Sequence, residues 1–221
     1  MLKLYDYFRS SACFRVRIAL HLKQLSYQMI PIHLVNNGGE QHHAHYRKRN
    51  PYSLVPTLEI DDQYLLQSLA IIEYIDELYP NPSLLPKESN ARAYVRSIAF
   101  AIAADAHPLN NLRVLKYLTD VLKISETQKN AWYQHWVQQT FASLEEQLKQ
   151  AQLFGTFCFG DQPTLADLCL VPQMFNARRF NCPLDAYPTL VAIDAVCQKH
   201  PAFMDAWPHE VSGSRSNHVK S

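Results

Sequence analysis

From Tyr7 to Arg17 the chain reads Tyr-Phe-Arg-Ser-Ser-Ala-Cys-Phe-Arg-Val-Arg. An extended run that passes through Ser10 and Ser11 into the first turn of a helix gathers two hydroxyls and unpaired backbone N–H groups at the positive end of a helix dipole. An anion is stabilised there, although a serine that is only an N-cap has the same spelling. A second segment, Asn50 to Leu58, carries Val55-Pro56 just before a short strand. An X-Pro bond in that place can be cis, which turns the N–H and C=O of Val55 outward, where an extended peptide pairs as an added strand. The alternative is that Pro56 merely opens an edge strand. The third segment runs from Gln67 to Tyr74, with Ser68 at a helix start. Its hydroxyl, the first-turn amides and the Gln67 amide together suit a carboxylate. Capping alone accounts for Ser68 and leaves Gln67 without a role.

Other polar side chains have plainer explanations. Tyr5 and Tyr7 close the first strand and are packing aromatics first, with Tyr7 a secondary candidate as a hydroxyl donor. The run Gln41-His42-His43-Ala44-His45 has no carboxylate or thiol at ligand spacing, so no metal site is expected. Arg15 and Arg17 either steer anions or form ion pairs. Thr164 with Asp167 spells a capping box, a folding device. Five cysteines, an odd number with no C-x-x-C pair, read as small buried hydrophobes in a reducing cytoplasm.

The elements that must hold these residues alternate up to about Pro80. Strands are expected at Leu2 to Tyr7, Tyr27 to Ile32, Thr57 to Ile60 and Tyr64 to Leu66, the last two hinged by Asp61-Asp62. Helices are expected from Ser11 to Lys23 and from Ser68, with Leu69, Ile72, Ile75 and Tyr79 on one face. The order β-α-β-(α)-β-β-α is that of a thioredoxin-like sheet. Pro80-Asn81-Pro82-Ser83 and Pro86 read as a linker. The expected division is therefore residues 1–80, a linker over 81–87, and a helical domain over 88–221 that carries no strand. That domain has a helix over Arg92 to Leu122 with a break at His107-Pro108, and others starting at Ser125-Glu126, at Thr164 and at Pro188, the last reaching His200. From His209 onward the tail is expected to have little order.

The 221 residues, 48% hydrophobic and 19% charged, are an ordinary folded composition. Twenty-one basic against 20 acidic residues leave a net charge of +1, too little field for a nucleic-acid partner. The longest apolar run, Ile98 to Ala104, falls far short of the roughly 20 residues that cross a bilayer. The first residues, Met-Leu-Lys-Leu-Tyr-Asp, place an acid where a signal peptide stays apolar, so export is not expected.

Tyr7–Leu20, Asn50–Leu58 and Gln67–Tyr74, joined by His107–Leu115, Gly160–Gln173 and Asn176–Phe180, resemble the zeta class of the glutathione transferase superfamily, whose namesake activity is maleylacetoacetate isomerase. The resemblance runs from Leu2 to about Pro201. It implies an α+β thioredoxin-like domain followed by an all-α bundle, glutathione as cofactor, a small diacid as substrate, and a homodimer. It also assigns roles. Ser10 donates to the glutathione sulfur, with Ser11 beside it; the Val55 backbone pairs with the cysteinyl part, and Pro56 is the cis-proline. Gln67 and Ser68 hold the γ-glutamyl end, Asn110 and Asn111 fall where the helical domain reaches the site, and Arg179, with Arg9 as a second cation, grips substrate carboxylate. The family usually reads Ser-Ser-Cys-x-Trp-Arg, whereas here Ala12 takes the cysteine position and Cys13 follows it. One residue rotates a side chain by about 100° around a helix, so Cys13 does not substitute for that thiol.

The chemistry implied is reversible thiolate addition to a cis double bond conjugated to a ketone. A free thiol of pKa ~8.5 is a few per cent ionised at neutral pH, and donors at the sulfur raise that fraction. Maleylacetoacetate is the expected substrate. Maleylpyruvate, a transferase that conjugates glutathione to α-halo acids, and a non-enzymatic binding protein of the same fold are the alternatives.

Overall fold

The computed structural model describes residues 1–209 and the backbone of 215–217. The chain forms two compact units, Met1–Ser83 with His200–Ser221, and Leu84–Lys199.

In the first unit β1 (Leu2–Asp6), α1 (Ser11–Leu22), β2 (Tyr27–Pro31), α2 (Ala44–Arg47), β3 (Thr57–Ile60), β4 (Gln63–Leu66) and α3 (Ser68–Leu78) follow one another in the thioredoxin-like order. The sheet runs β4-β3-β1-β2 and continues into β5 (Arg215–Asn217). Among the described pairs β1–β2 alone is parallel, because α1 returns the chain to the end at which β1 began; the others are antiparallel. Asp61 and Asp62 both take positive φ, 47° and 62°, which closes the two-residue β3–β4 hairpin. β5 corrects the expectation that no strand follows Pro80. Its pairing with β2 supplies main-chain partners to what is otherwise an exposed sheet edge. The rest of the tail, 210–214 and 218–221, lies outside the described residues.

The core under α1 holds Phe14, Val16, Ile18, Ala19 and Leu20. Among them Arg17 and Asp6 form a buried ion pair at 2.6 Å. Arg17 also donates to the Phe8 and Ala206 carbonyls, each at 3.0 Å, so it is a structural tie and not an anion-steering residue. α10 (Pro201–Asp205) packs on α1, and the Phe14 ring meets Trp207 edge-on at 5.5 Å. These contacts place the chain from His200 with the first unit, whereas the sequence pattern runs the helical domain on to 221.

The second unit comprises α4 (Ser89–Phe100), α5 (His107–Leu109), α6 (Leu112–Lys116), α7 (Glu126–Ala151), α8 (Leu165–Arg179) and α9 (Pro188–Cys197). Helix continues through His107-Pro108, where a break was expected, because a π-helical stretch, Ala101–Ala106, shifts the hydrogen-bond register ahead of a residue without an N–H. The break falls instead at Asn110-Asn111. Asn111 leaves helical geometry and accepts from Arg113 N at 3.1 Å, the local competition with backbone bonding that asparagine offers. α9 ends at Cys197 rather than His200, since His200 starts α10 by accepting from Ala202 N at 3.3 Å. α7 opens on a reciprocal box: Ser125 accepts from Gln128 N and the Gln128 side chain from Ser125 N. Ser125→Ala is expected to destabilise the second unit by about 1 kcal/mol, read by urea denaturation.

Candidate active site

Register alone brings the three segments of interest to one end of the sheet. Tyr5 pairs with Thr57, and Thr57 with Leu66. The residues that follow β1, those that precede β3 and those that follow β4 therefore leave the sheet at the same end. Ser10 and Ser11 open α1 there, Val55-Pro56 enters β3, and Gln67-Ser68 opens α3. Two helix starts face outward beside an unpaired strand entry.

Ser10 is half-buried and is the N-cap of α1, accepting from Cys13 N at 3.3 Å. The capping role does not compete with hydrogen donation. A backbone N–H can only donate, so the hydroxyl oxygen is the acceptor in that bond and its own proton is left for another acceptor. Ser11 is buried, which makes Ser10 the more accessible of the two hydroxyls. The N–H of Ala12 makes no hydrogen bond among the described residues. Cys13 points into the core, fully buried, with its sulfur accepting from Tyr7 N. Burial, together with the Asp6 carboxylate, pushes its thiol well above the ordinary range, so it stays neutral.

Val55-Pro56 is cis, and the Val55 N–H and C=O make no hydrogen bond among the described residues. A network that the sequence does not announce fixes this loop. Tyr46 and Asn50, four apart and both buried, both donate to the Leu54 carbonyl, at 2.6 and 2.8 Å, and both bond the Thr57 hydroxyl, which accepts from Asn50 Nδ2 at 3.1 Å and donates to Tyr46 OH at 2.9 Å, since the single Tyr46 proton goes to Leu54. Their i, i+4 spacing within a polar stretch is the one signal that a shared target existed. At the third segment, Gln67 is exposed at φ 69° and makes no side-chain cap, while Ser68 is buried. The N–H groups of Ser68, Leu69 and Ala70 have no acceptor among the described residues, which suits a carboxylate.

Arg9 is exposed beside this turn; its Nη2 donates to Tyr7 OH at 2.9 Å and its guanidinium lies over the Phe8 ring at 5.0 Å. Tyr7 is buried against Phe8 and His33. In the second unit, Asn110 is buried with its amide donating to Tyr133 O at 3.1 Å, and Asn111 caps α6. Arg179, exposed at the end of α8, donates to Asn176 Oδ1 at 3.0 Å, with its guanidinium over Phe180 at 5.6 Å and Phe175 at 6.0 Å. All five cysteines are buried and none is in a disulfide. Among the described residues no three of His, Cys, Asp and Glu come together as metal ligands, and no helix is long and apolar enough to cross a membrane.

Hydroxyl and amide donors suited to an anion, an open strand entry and a helix start with unpaired amides stand at one end of the sheet, and residues 4–83 match the family described as glutathione S-transferase, N-terminal domain. That is the class of protein. Within it, the chain is 49% identical to a probable maleylacetoacetate isomerase of Vibrio cholerae over 93% of this chain and 94% of that protein. It is 42% identical to a bacterial zeta-class protein solved as maleyl pyruvate isomerase, with a TM-score of 0.91 over 93% of this chain and 96% of the other. It is 39% identical, with a TM-score of 0.83 over 94% and 95% of the two chains, to the maleylacetoacetate isomerase of Anaeromyxobacter dehalogenans, solved with glutathione in its active site. The chain belongs to the zeta class of glutathione transferases, the family of the maleylacetoacetate isomerases.

Proposed function

We propose that this protein is a glutathione-dependent isomerase that converts maleylacetoacetate to fumarylacetoacetate, a step of tyrosine and phenylalanine breakdown. The observation that carries the reading is Ser10: a half-buried hydroxyl at a helix start, committed as an acceptor to Cys13 N and so left with a proton to give.

The chain's own groups fit glutathione. Ser10 donates a hydrogen bond to the sulfur anion and keeps its proton, and the α1 dipole together with the Ala12 N–H adds positive potential beside it. The Val55 N–H and C=O pair with the cysteinyl backbone, beside cis-Pro56. Ser68, the first amides of α3 and the Gln67 side chain take the γ-glutamyl end. Asn110 and Asn111 contribute the amide atoms that their local bonds leave over, Oδ1 and Nδ2. When bound, glutathione supplies a sulfur nucleophile that adds reversibly to the cis double bond, which rotates as a single bond before re-forming as trans. Arg179 grips a substrate carboxylate in the bidentate way a guanidinium allows, its plane set by Phe175 and Phe180. Arg9 holds a second carboxylate and offsets charge that develops on the conjugated ketone oxygen. Five buried thiols support a reducing cytoplasmic setting. A homodimer is part of this reading, which sedimentation checks.

The testing experiment follows maleylacetoacetate and free thiol together, with and without glutathione. Turnover that needs glutathione while the thiol concentration stays constant supports isomerisation. Stoichiometric loss of thiol identifies a conjugating transferase, and faster turnover of maleylpyruvate reassigns the substrate. Failure to bind immobilised glutathione leaves a binding protein of the same fold. Arg179→Ala is expected to raise KM for the diacid by about tenfold or more, the value of a lost charge-assisted pair, with KM for glutathione within about twofold of wild type.

A further inference from the structure

Arg15 is among the largest fully buried side chains of the protein, 2% exposed. It lies on α1 one turn beyond Ser11, and its Nη1 donates to Ser68 Oγ, on the first residue of α3, at 3.4 Å. The contact joins the helix that opens at the sulfur end of the site to the helix that opens at the carboxylate end. Neither an exposed anion-steering role nor a plain surface ion pair fits a guanidinium at this depth.

A guanidinium has five donors and no acceptor. Opposite Arg15, Ser68 Oγ is therefore the accepting partner, and its proton has no acceptor among the described residues. This is the logic by which Cys13 N leaves Ser10 its proton, with a charged donor in place of an amide. We propose that Arg15 is a positioning residue for ligand binding: by occupying the Ser68 oxygen from inside the core, it commits the Ser68 hydroxyl to donate to the γ-glutamyl α-carboxylate of glutathione. The inference rests on the glutathione reading of the site. Arg15 also places a full positive charge behind a helix start that carries about half of one, in a region that salt screens weakly.

The test compares wild type, Arg15→Met, Ser68→Ala and the double variant. Each is titrated with glutathione and with an analogue whose γ-glutamyl α-carboxylate is an amide. Each single variant is expected to raise Kd for glutathione about tenfold, the value of one hydrogen bond to a charged group. The double variant should be no weaker than about tenfold, since both changes remove the same hydroxyl donor. The amide analogue should bind all four within about twofold of one another. In turnover assays the loss should fall chiefly on KM for glutathione and not on kcat, and Arg15→Lys should recover part of the affinity. Losses that multiply to about a hundredfold, an amide analogue weakened as much as glutathione, or an Arg15→Met change confined to thermal stability each overturn the inference. Should Arg15→Met fail to fold, Arg15→Lys in the same two backgrounds carries the comparison. A wild-type chain that binds no glutathione overturns the reading of the whole site; wild-type binding with independent losses overturns the role of Arg15 alone.

Discussion

Replacing Ser10 by alanine lowers kcat by about 10²-fold or more if its hydroxyl stabilises the sulfur anion, the typical cost of removing one preorganised donor from a site of developing charge. The alanine variant also loses the cap on Cys13 N, worth about 1 kcal/mol, and that loss alone can disturb the turn. Ser10→Gly separates the two effects. Glycine at an N-cap costs only a few tenths of a kcal/mol, yet it removes the hydroxyl as completely. The expected result is a glycine variant with near-native thermal stability and the same loss of about 10²-fold. Absorbance of the bound thiolate near 240 nm, titrated with pH, should show the sulfur ionising at higher pH in both variants. A glycine variant with near-normal turnover moves the assignment to Ser11 or Tyr7.

The second large effect concerns stability. Asp167 is fully buried near the start of α8, and its carboxylate accepts three hydrogen bonds: from Cys158 N at 2.8 Å, Thr164 N at 2.7 Å and Thr164 Oγ1 at 3.0 Å. Asp167→Ala leaves two buried backbone donors without partners, at about 1–3 kcal/mol each, and adds a small cavity beside Leu168 and Cys158. A loss of about 4 kcal/mol is expected, read as a fall in the urea midpoint at unchanged slope. Asp167→Asn fills the space but keeps only one of the two accepting oxygens and turns an NH2 towards the donors of the other, so it should still lose about 1–3 kcal/mol. If alanine costs under about 1 kcal/mol, the box is an ornament of α8 and not what starts it.

Asp167 was readable because a capping box is local: its partner Thr164 lies three residues away, and the spelling contains the geometry; Ser125 was readable as a helix start. α1, α3 and the β3–β4 hairpin were readable for the same reason, from helical spacing after Ser11 and Ser68 and from Asp61-Asp62 between two short apolar runs. Cys13 was also placed correctly, since one residue of offset decides which face of α1 it occupies.

Other features escaped because their partners are distant in the chain. Arg17 could be sorted from a steering cation into a structural tie only once Asp6 and the carbonyl of Ala206 were seen around it. Tyr46 and Asn50 lie in what reads as a polar connector, yet they hold the loop that presents Val55. The π-helical stretch before Pro108 and the addition of β5 to β2 likewise depend on neighbours that periodicity does not name.

By itself the amino-acid order determined the sequence of strands and helices up to Pro80, where α1 and α3 start, and which serines and backbone groups stand at those starts. These follow from interactions that span a turn or less. Only the folded chain decided that the ends of β1 and β4 and the entry to β3 share one end of the sheet, and that the hydroxyl of Ser68 is held as an acceptor from within the core. A hydroxyl accepts or donates according to what stands opposite it, and in this protein the group opposite Ser68 lies 53 residues away.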